Sequence, residues 1–356
     1  MKIFLKYFLP AALVAGFLCS LFYELTHYKL SIDDCFFDGA AHKIGFWKTY
    51  ALCYEVVNGR WFGNLVACIF FYFAGHNFTC YAFILFSLML LFVWSVAFLY
   101  KNYLKTFFLK DITRQKAIAY GFIFTSALYF LMYGGRREIW VWLDSATVHL
   151  LSVIFCMILM GLLFKQNKSF AGRLSLILLA VCLGGMNEVN ALCSFLIIIG
   201  LLFFGKTFTG ISFNKMDFSL AATAIPLSLF VNLNSGGYTA RMNGLPDFTL
   251  FQSLKNTLHT FLIPVLQAEL ITLLVIILIA VALFIQIRFR REKYASVFSK
   301  KEILVFALAL LLVGLSFFGH CYTLSDIVPA RGALWGYTLL LFIISIKFTE
   351  KEKSIS

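Results

Sequence analysis

Residues 81–100 read YAFILFSLMLLFVWSVAFLY, twenty residues without a charge or a proline. As a helix this run would be about 30 Å long, the thickness of a bilayer's hydrocarbon core. Residues 270–287, LITLLVIILIAVALFIQI, have the same character. Of the 356 residues 61% are hydrophobic and 13% are charged, whereas a soluble domain is roughly a quarter charged. A soluble globular protein is therefore excluded. The chain is expected to be all-α, a polytopic transmembrane helix bundle forming a single domain over 1–356.

Charge placement sets the threading. A net charge of +13 would suggest nucleic acid in a soluble protein. Here the Lys and Arg gather in short connections between apolar runs, so the charge reads as a topology signal and no nucleic-acid partner is expected. Lys2 and Lys6 place the N-terminus in the cytoplasm, and Lys101, Lys105, Lys110, Arg114 and Lys116 mark a cytoplasmic connection. Further basic connections fall at 165–173, 206–215 and 288–301 and in the tail. Spans at about 3–23, 81–100, 117–133, 146–164, 174–186, 189–204, 218–233, 264–287, 303–320 and 332–347 give about ten crossings. Both termini are then cytoplasmic, and the expected location is a bacterial inner (plasma) membrane.

This count closes only if residues 61–74 form an interfacial or re-entrant helix instead of a span. The outer loops fall at about 24–60, 134–145, 234–258 and 321–331. Glu24, Asp33, Asp34, Asp38, Glu55, Glu138, Asp144, Glu188, Asp247, Glu269 and Asp326 all lie on that side, although acids played no part in the threading. The N-terminal apolar run lacks a small-x-small cleavage site and reads as a retained first helix.

Several outer segments carry chemistry. Ser31-Ile32-Asp33-Asp34 places two acids near the membrane surface, where lost solvation and mutual repulsion suit proton abstraction or cation binding. The alternative is a solvated N-cap on a helix starting near Cys35. Asn58-Gly59-Arg60-Trp61 follows. The second outer loop contains Gly134-Gly135-Arg136-Arg137-Glu138 and Asp144. Arginines on that side oppose the topology bias, which points to a bound phosphate or to pairing with the nearby acids. Trp140 and Trp142 read as interfacial belt residues.

Gly184-Gly185-Met186-Asn187-Glu188 interrupts an apolar stretch. An ionisable group near membrane depth is costly, which makes Glu188 either a functional group or the partner of an arginine such as Arg136. Arg241 and Arg331 lie at outer span ends beside glycines and could clamp one phosphate. The nine cysteines show no CxxC pattern, and the six histidines show no HExxH-type spacing. Both sets are expected in packing or interface roles.

The ordered set of an early Asp pair, Asn-Gly-Arg before an interfacial helix, second-loop acids, Gly-x-Asn-Glu and Gly237-x-x-x-Arg241 resembles the GT-C membrane glycosyltransferases, specifically compact bacterial members of unassigned substrate. The resemblance implies transfer of a sugar from a polyprenyl-phosphate lipid to an acceptor glycan, lipid or protein at the outer surface. It implies Asp33 or Asp34 as the base, Glu138 or Asp144 as the second-loop acid, and Arg241 or Arg331 as the phosphate binder. Arg60, Arg136, Arg137, Asn187 and Glu188 complete the candidate substrate-binding set. A divalent cation is left open as the one cofactor, and its ligands are unknown. A non-enzymatic subunit of an envelope machine, a lipid-linked glycan polymerase and a transporter are the rival classes, although the paired halves of a transporter are not visible.

Overall fold

The computed structural model describes residues 8–28, 30–108, 111–132, 137–165, 168–209, 211, 213–243, 251–258, 311, 314, 334–339 and 341–342. Among the described residues the regular secondary structure is helical, without strands. The chain divides into two units, residues 1–125 with 137–247, and residues 126–136 with 248–356. In the second unit the Thr257 hydroxyl bonds the Ser253 carbonyl within a helical stretch, and Leu334, Trp335 and Tyr337 are buried. The expected span at 264–287, all but two residues of 303–320, and half of 332–347 lie outside the described residues.

The helices are α1 (Leu9–Thr26), α2 (Ile32–Lys43), α3 (Phe46–Leu52), α4 (Trp61–Ala74), α5 (Phe78–Phe108), α6 (Arg114–Leu131), α7 (Leu143–Ser145), α8 (Leu151–Phe164), α9 (Phe170–Gly184), α10 (Glu188–Thr209), α11 (Lys215–Leu233) and α12 (Gly236–Asn243). π-Helical turns at Cys53–Val57, Arg137–Val141 and Ala146–Leu150 follow α3, precede α7, and join α7 to α8. Such turns are rare and recur at functional sites.

Four helical stretches are long and apolar enough to cross a bilayer: Phe78–Phe107, Leu143–Phe164, Glu188–Lys206 and Lys215–Leu233. They match expected spans, and the shorter Pro10–Thr26 and Phe170–Gly184 match two more. Trp140, expected in an interfacial belt, is instead fully buried and packs edge-on against Phe92 at a centroid distance of 5.6 Å. Its ring fills the seam between α5 and the turn before α7.

Side-chain contacts fix the directions of the helices in the first unit. α5 and α8 run parallel: the Ser95 hydroxyl reaches Met157 Sδ at 3.8 Å, and farther along the Thr106 hydroxyl donates to the Phe164 carbonyl at 2.7 Å. α8 and α10 are likewise parallel, because Asn190 bonds Ser152 and Ser194 bonds Cys156. α9 and α11 run the opposite way. Near their starts the almost fully buried Lys168 ammonium meets Asp217 at 2.6 Å, and at their far ends Asn232 donates to the Gly184 carbonyl at 3.0 Å.

The described helices of this unit thus have two chemically different ends. One gathers Asp34, Asp38, Asp144 and Glu188, and the other gathers Lys105, Lys168, Arg173 and Lys215, with Asp217 in contact with two of these cations. They are called the acidic and basic ends below.

The disposition of α4 follows. Its first residue donates to Asn232 at the end of α11, while near its last turn Phe71 packs on Tyr81 at the start of α5, 5.5 Å between centroids. Both partners belong to the acidic end. α4 therefore lies across that end, in keeping with an interfacial helix. At about 21 Å it is also too short to span a hydrocarbon core.

The threading predicts that Lys43 and Lys105 face opposite sides of a membrane. With all nine native cysteines replaced by Ser, single cysteines at positions 43 and 105 should be labelled by an impermeant maleimide from opposite sides of sealed vesicles. Labelling from the same side would overturn the threading.

Candidate functional site

The acid pair opens α2. Ser31 is the N-cap: its hydroxyl accepts the Asp34 N–H at 3.0 Å, and the Asp34 carboxylate accepts the Ser31 N–H at 3.0 Å. This reciprocal pair satisfies two donors that a helix start leaves orphaned. The helix begins at Ile32, three residues before the expected start at Cys35, and neighbouring side chains diverge by about 100°. Asp33 is consequently exposed while Asp34 is fully buried.

Asp34 receives two further donors. The Tyr28 hydroxyl bonds Oδ2 at 3.0 Å, and the Asp144 backbone N–H bonds Oδ1 at 2.8 Å. Burial first, and the adjacent Asp34 carboxylate second, push the Tyr28 phenol above its ordinary range, so it stays protonated and donates. Three donors thus hold Asp34, one of them from the first turn of α7. It is an internal tether between the first and second loop segments.

Asp144 also lies near Cys53. The Cys53 thiol is raised by a hydrogen bond to Cys68, by burial, and by the Cys68 and Asp144 charges. A protonated, fully buried thiol is unreactive, in line with the packing role expected of the cysteines.

Glu188 has its partner in Arg60. Arg60 Nε lies 3.1 and 3.2 Å from the two Glu188 oxygens, and Nη2 lies 3.1 Å from Oε2. Their side chains are only 12% and 14% exposed. The sequence offered an arginine such as Arg136 as partner; Arg60 is such an arginine, and it reaches Glu188 because the chain around it docks onto the end of α9. The Phe62 and Gly63 N–H groups donate to the Gly185 carbonyl at 2.9 and 3.2 Å, and the Trp61 N–H donates to Asn232 Oδ1 at 3.1 Å. The first-turn donors of α4 are thus met by α9 and α11.

Two glycines allow this approach. Gly185 faces Trp61 so closely that a Cβ would sit 2.4 Å from its ring. Gly59 has φ +73°, and a Cβ there would lie 1.7 Å from Ser235 Oγ. The segment Asn234-Ser235-Gly236-Gly237 therefore packs on the turn containing Tyr54 and Glu55 and delivers α12, with Arg241, to the same region.

Asn187 precedes α10 and accepts the Asn190 N–H at 3.0 Å, the geometry of an N-cap, while His149 Nδ1 lies 3.5 Å from its amide nitrogen. The buried amide oxygens of Asn64 and Asn190 have no hydrogen-bond partner among the described residues.

Asp33, Asp34, Asp144, Arg60, Asn187 and Glu188 are thus all at the acidic end. Arg137 and Glu138 belong to the π-helical turn Arg137–Val141, and Arg241 belongs to α12. Arg136 and Arg331 lie outside the described residues. Two apolar grooves lie among the described residues. One, of about 360 Å³, lies along α1 at Leu18 and Phe22, and another, of about 440 Å³, lies between α9 and α11 beneath Trp61. Neither is lined by the acids.

Sequence reasoning missed a second polar cluster. Asp38 and His42 share a face of α2, and His76, at φ +61° in the turn after α4, joins them. His76 Nδ1 contacts Asp38 Oδ2, and His42 Nε2 lies 3.7 Å from Asp38 Oδ1. The i, i+4 spacing of Asp38 and His42 was a legible signal, but the third member is 34 residues beyond His42. Compared with known proteins, the chain matches no family model, no curated protein and no solved structure.

The Arg60–Glu188 geometry yields a prediction. Arg60→Gln or Glu188→Gln alone leaves a largely buried charge uncompensated and should cost about 3 kcal/mol. The double variant should lose clearly less than the sum of the two, measured by reversible unfolding in mixed micelles. Strict additivity would remove the pair as a structural unit.

Proposed function

We propose that this protein is a membrane glycosyltransferase of the GT-C type, with about ten spans. It transfers a sugar from a polyprenyl-phosphate donor to an acceptor on the extracytoplasmic side. The observation that carries this reading is the Asp34 to Asp144 hydrogen bond, which joins the acids of two separate loop segments at the end of the bundle where α12 also brings Arg241.

The acidic end contains groups suited to both halves of such a transfer. A carboxylate accepts the proton of the acceptor hydroxyl as its oxygen bonds to the anomeric carbon. The phosphate leaves with the electron pair of the broken bond, and cations offset its charge. Between the two acids of the pair, exposed Asp33 suits the base, while Asp34 with its three donors suits positioning. Arg60 is committed to Glu188, and Arg241 of α12 is the phosphate binder this end offers among the described residues. The 440 Å³ groove, lined by Ile177, Val181, Leu220, Ala224 and Leu227, ends at Trp61 beside Arg60. It offers the donor's isoprenoid chain an apolar bed leading towards the acidic end.

The substitutions should fail differently. Asp33→Asn should reduce turnover about 10²- to 10⁴-fold while leaving donor binding intact. Asp34→Asn should instead lower stability by about 1–3 kcal/mol, since an amide cannot accept from all three donors. Arg241→Lys should weaken donor binding as well as rate, because the planar fork is lost. Binding and transfer of a polyprenyl-phosphate sugar by protein in nanodiscs measure all three. Full transfer by Asp33→Asn would overturn the base assignment, and failure of the wild type to bind the donor would favour an envelope-machine subunit.

A further inference from the structure

We propose that Asp38, His42 and His76 form a binding site for a divalent transition metal, Zn²⁺ by preference, at the acidic end of the bundle. This site stands whatever reaction the protein performs.

The three side chains offer one ligand atom each, and these atoms all lie within 4.8 Å of one another. Around Zn²⁺ with bonds of 2.0–2.2 Å, tetrahedral ligand atoms are about 3.3 Å apart. Closing the set requires shifts on the order of 1 Å, which rotation of two partly solvent-facing imidazoles supplies: the side chains of His42 and His76 are 28% and 58% exposed. Asp38, by contrast, is buried and forms the fixed corner.

The chemistry of the set favours a borderline cation. Two imidazoles and one carboxylate are the donors typical of zinc and its neighbours, whereas calcium and magnesium prefer oxygen alone. Three protein ligands leave a position for water or an external ligand, and the exposure of the two imidazoles places that position toward solvent. The carboxylate is held from behind, as metal-bound carboxylates usually are, by the Tyr81 hydroxyl donating to Asp38 Oδ1 at 2.5 Å.

The two imidazole rings are 4.1 Å apart between centroids and both turn toward the single Asp38 carboxylate. His76 reaches the cluster because Gly75 and His76 both take positive φ, +60° and +61°, turning the chain back from the end of α4 toward α2.

The full-length protein in nanodiscs, stripped with chelator and dialysed, tests the site. On titration with Co²⁺ it should develop ligand-field bands of a low-coordinate complex saturating near one ion per chain, and Zn²⁺ should displace the Co²⁺. His42→Ala and His76→Ala should each weaken binding on the order of 100-fold or more, with the helical circular-dichroism spectrum unchanged because both side chains are exposed. Absence of stoichiometric Co²⁺ and Zn²⁺ uptake by the wild type, or wild-type affinity in the His42→Ala/His76→Ala double variant, would overturn the assignment.

Discussion

A helix that ends inside an apolar bundle leaves backbone N–H groups that water does not reach, and at the acidic end of this protein those groups are answered from elsewhere in the chain. Asp34 serves the starts of both α2 and α7. Asn232 and the Gly185 carbonyl serve the start of α4, and Asn187 serves α10. Most of the short polar motifs that stand out against the hydrophobic background are therefore parts of one capping system. That system holds α4 across the bundle end and brings Arg60 onto Glu188. Of the acid pair, Asp34 is taken up by this capping, whereas Asp33 is exposed.

How much was legible in the sequence depends on the range of the interaction. The long helices were visible because hydrophobic length is a local property: 81–100 and 189–204 fall within α5 and α10. The separation of charges between the two ends was legible for a related reason, since it is a count over segments. The partner of Glu188 was not, because Arg60 lies 128 residues away and nothing in either local sequence distinguishes it from Arg136. The different fates of Asp33 and Asp34 turn on where α2 begins. A start at Cys35 would leave both as solvated caps, whereas a start at Ile32 buries one and exposes the other. Trp140 was misjudged because an aromatic near a span end looks the same in sequence whether it faces headgroups or a neighbouring helix.

The face of α2 carrying Asp34, Asp38 and His42 unites these observations. The three residues recur every fourth position, so they form a ridge of polar groups along a helix whose Phe37 and Ala41 are buried in hydrophobic surroundings. Tyr28 bonds the first member and Tyr81 the second, with their rings 6.0 Å apart. One short helix thus presents a tethering carboxylate, a carboxylate for the proposed cation and an exposed imidazole in succession. The proposed base, Asp33, lies off this ridge and precedes Asp38 by five residues, a rise of about 7.5 Å along α2.

The docking of α4 onto partners far downstream bears on biogenesis. The Trp61 N–H bonds a side chain 171 residues later in the chain, and Arg60 waits 128 residues for Glu188. At ribosomal speeds of about 5–20 residues per second those intervals amount to roughly 6–34 s. During that time α4 has its apolar surface but neither its caps nor its counter-ion. A membrane–water boundary is where such a segment can rest, with its arginine and free N–H groups in the headgroup layer until α9 to α11 arrive. These contacts close only when later-made helices return to an early-made one, so truncation after α8 would leave α4 without its Arg60 and Trp61 partners.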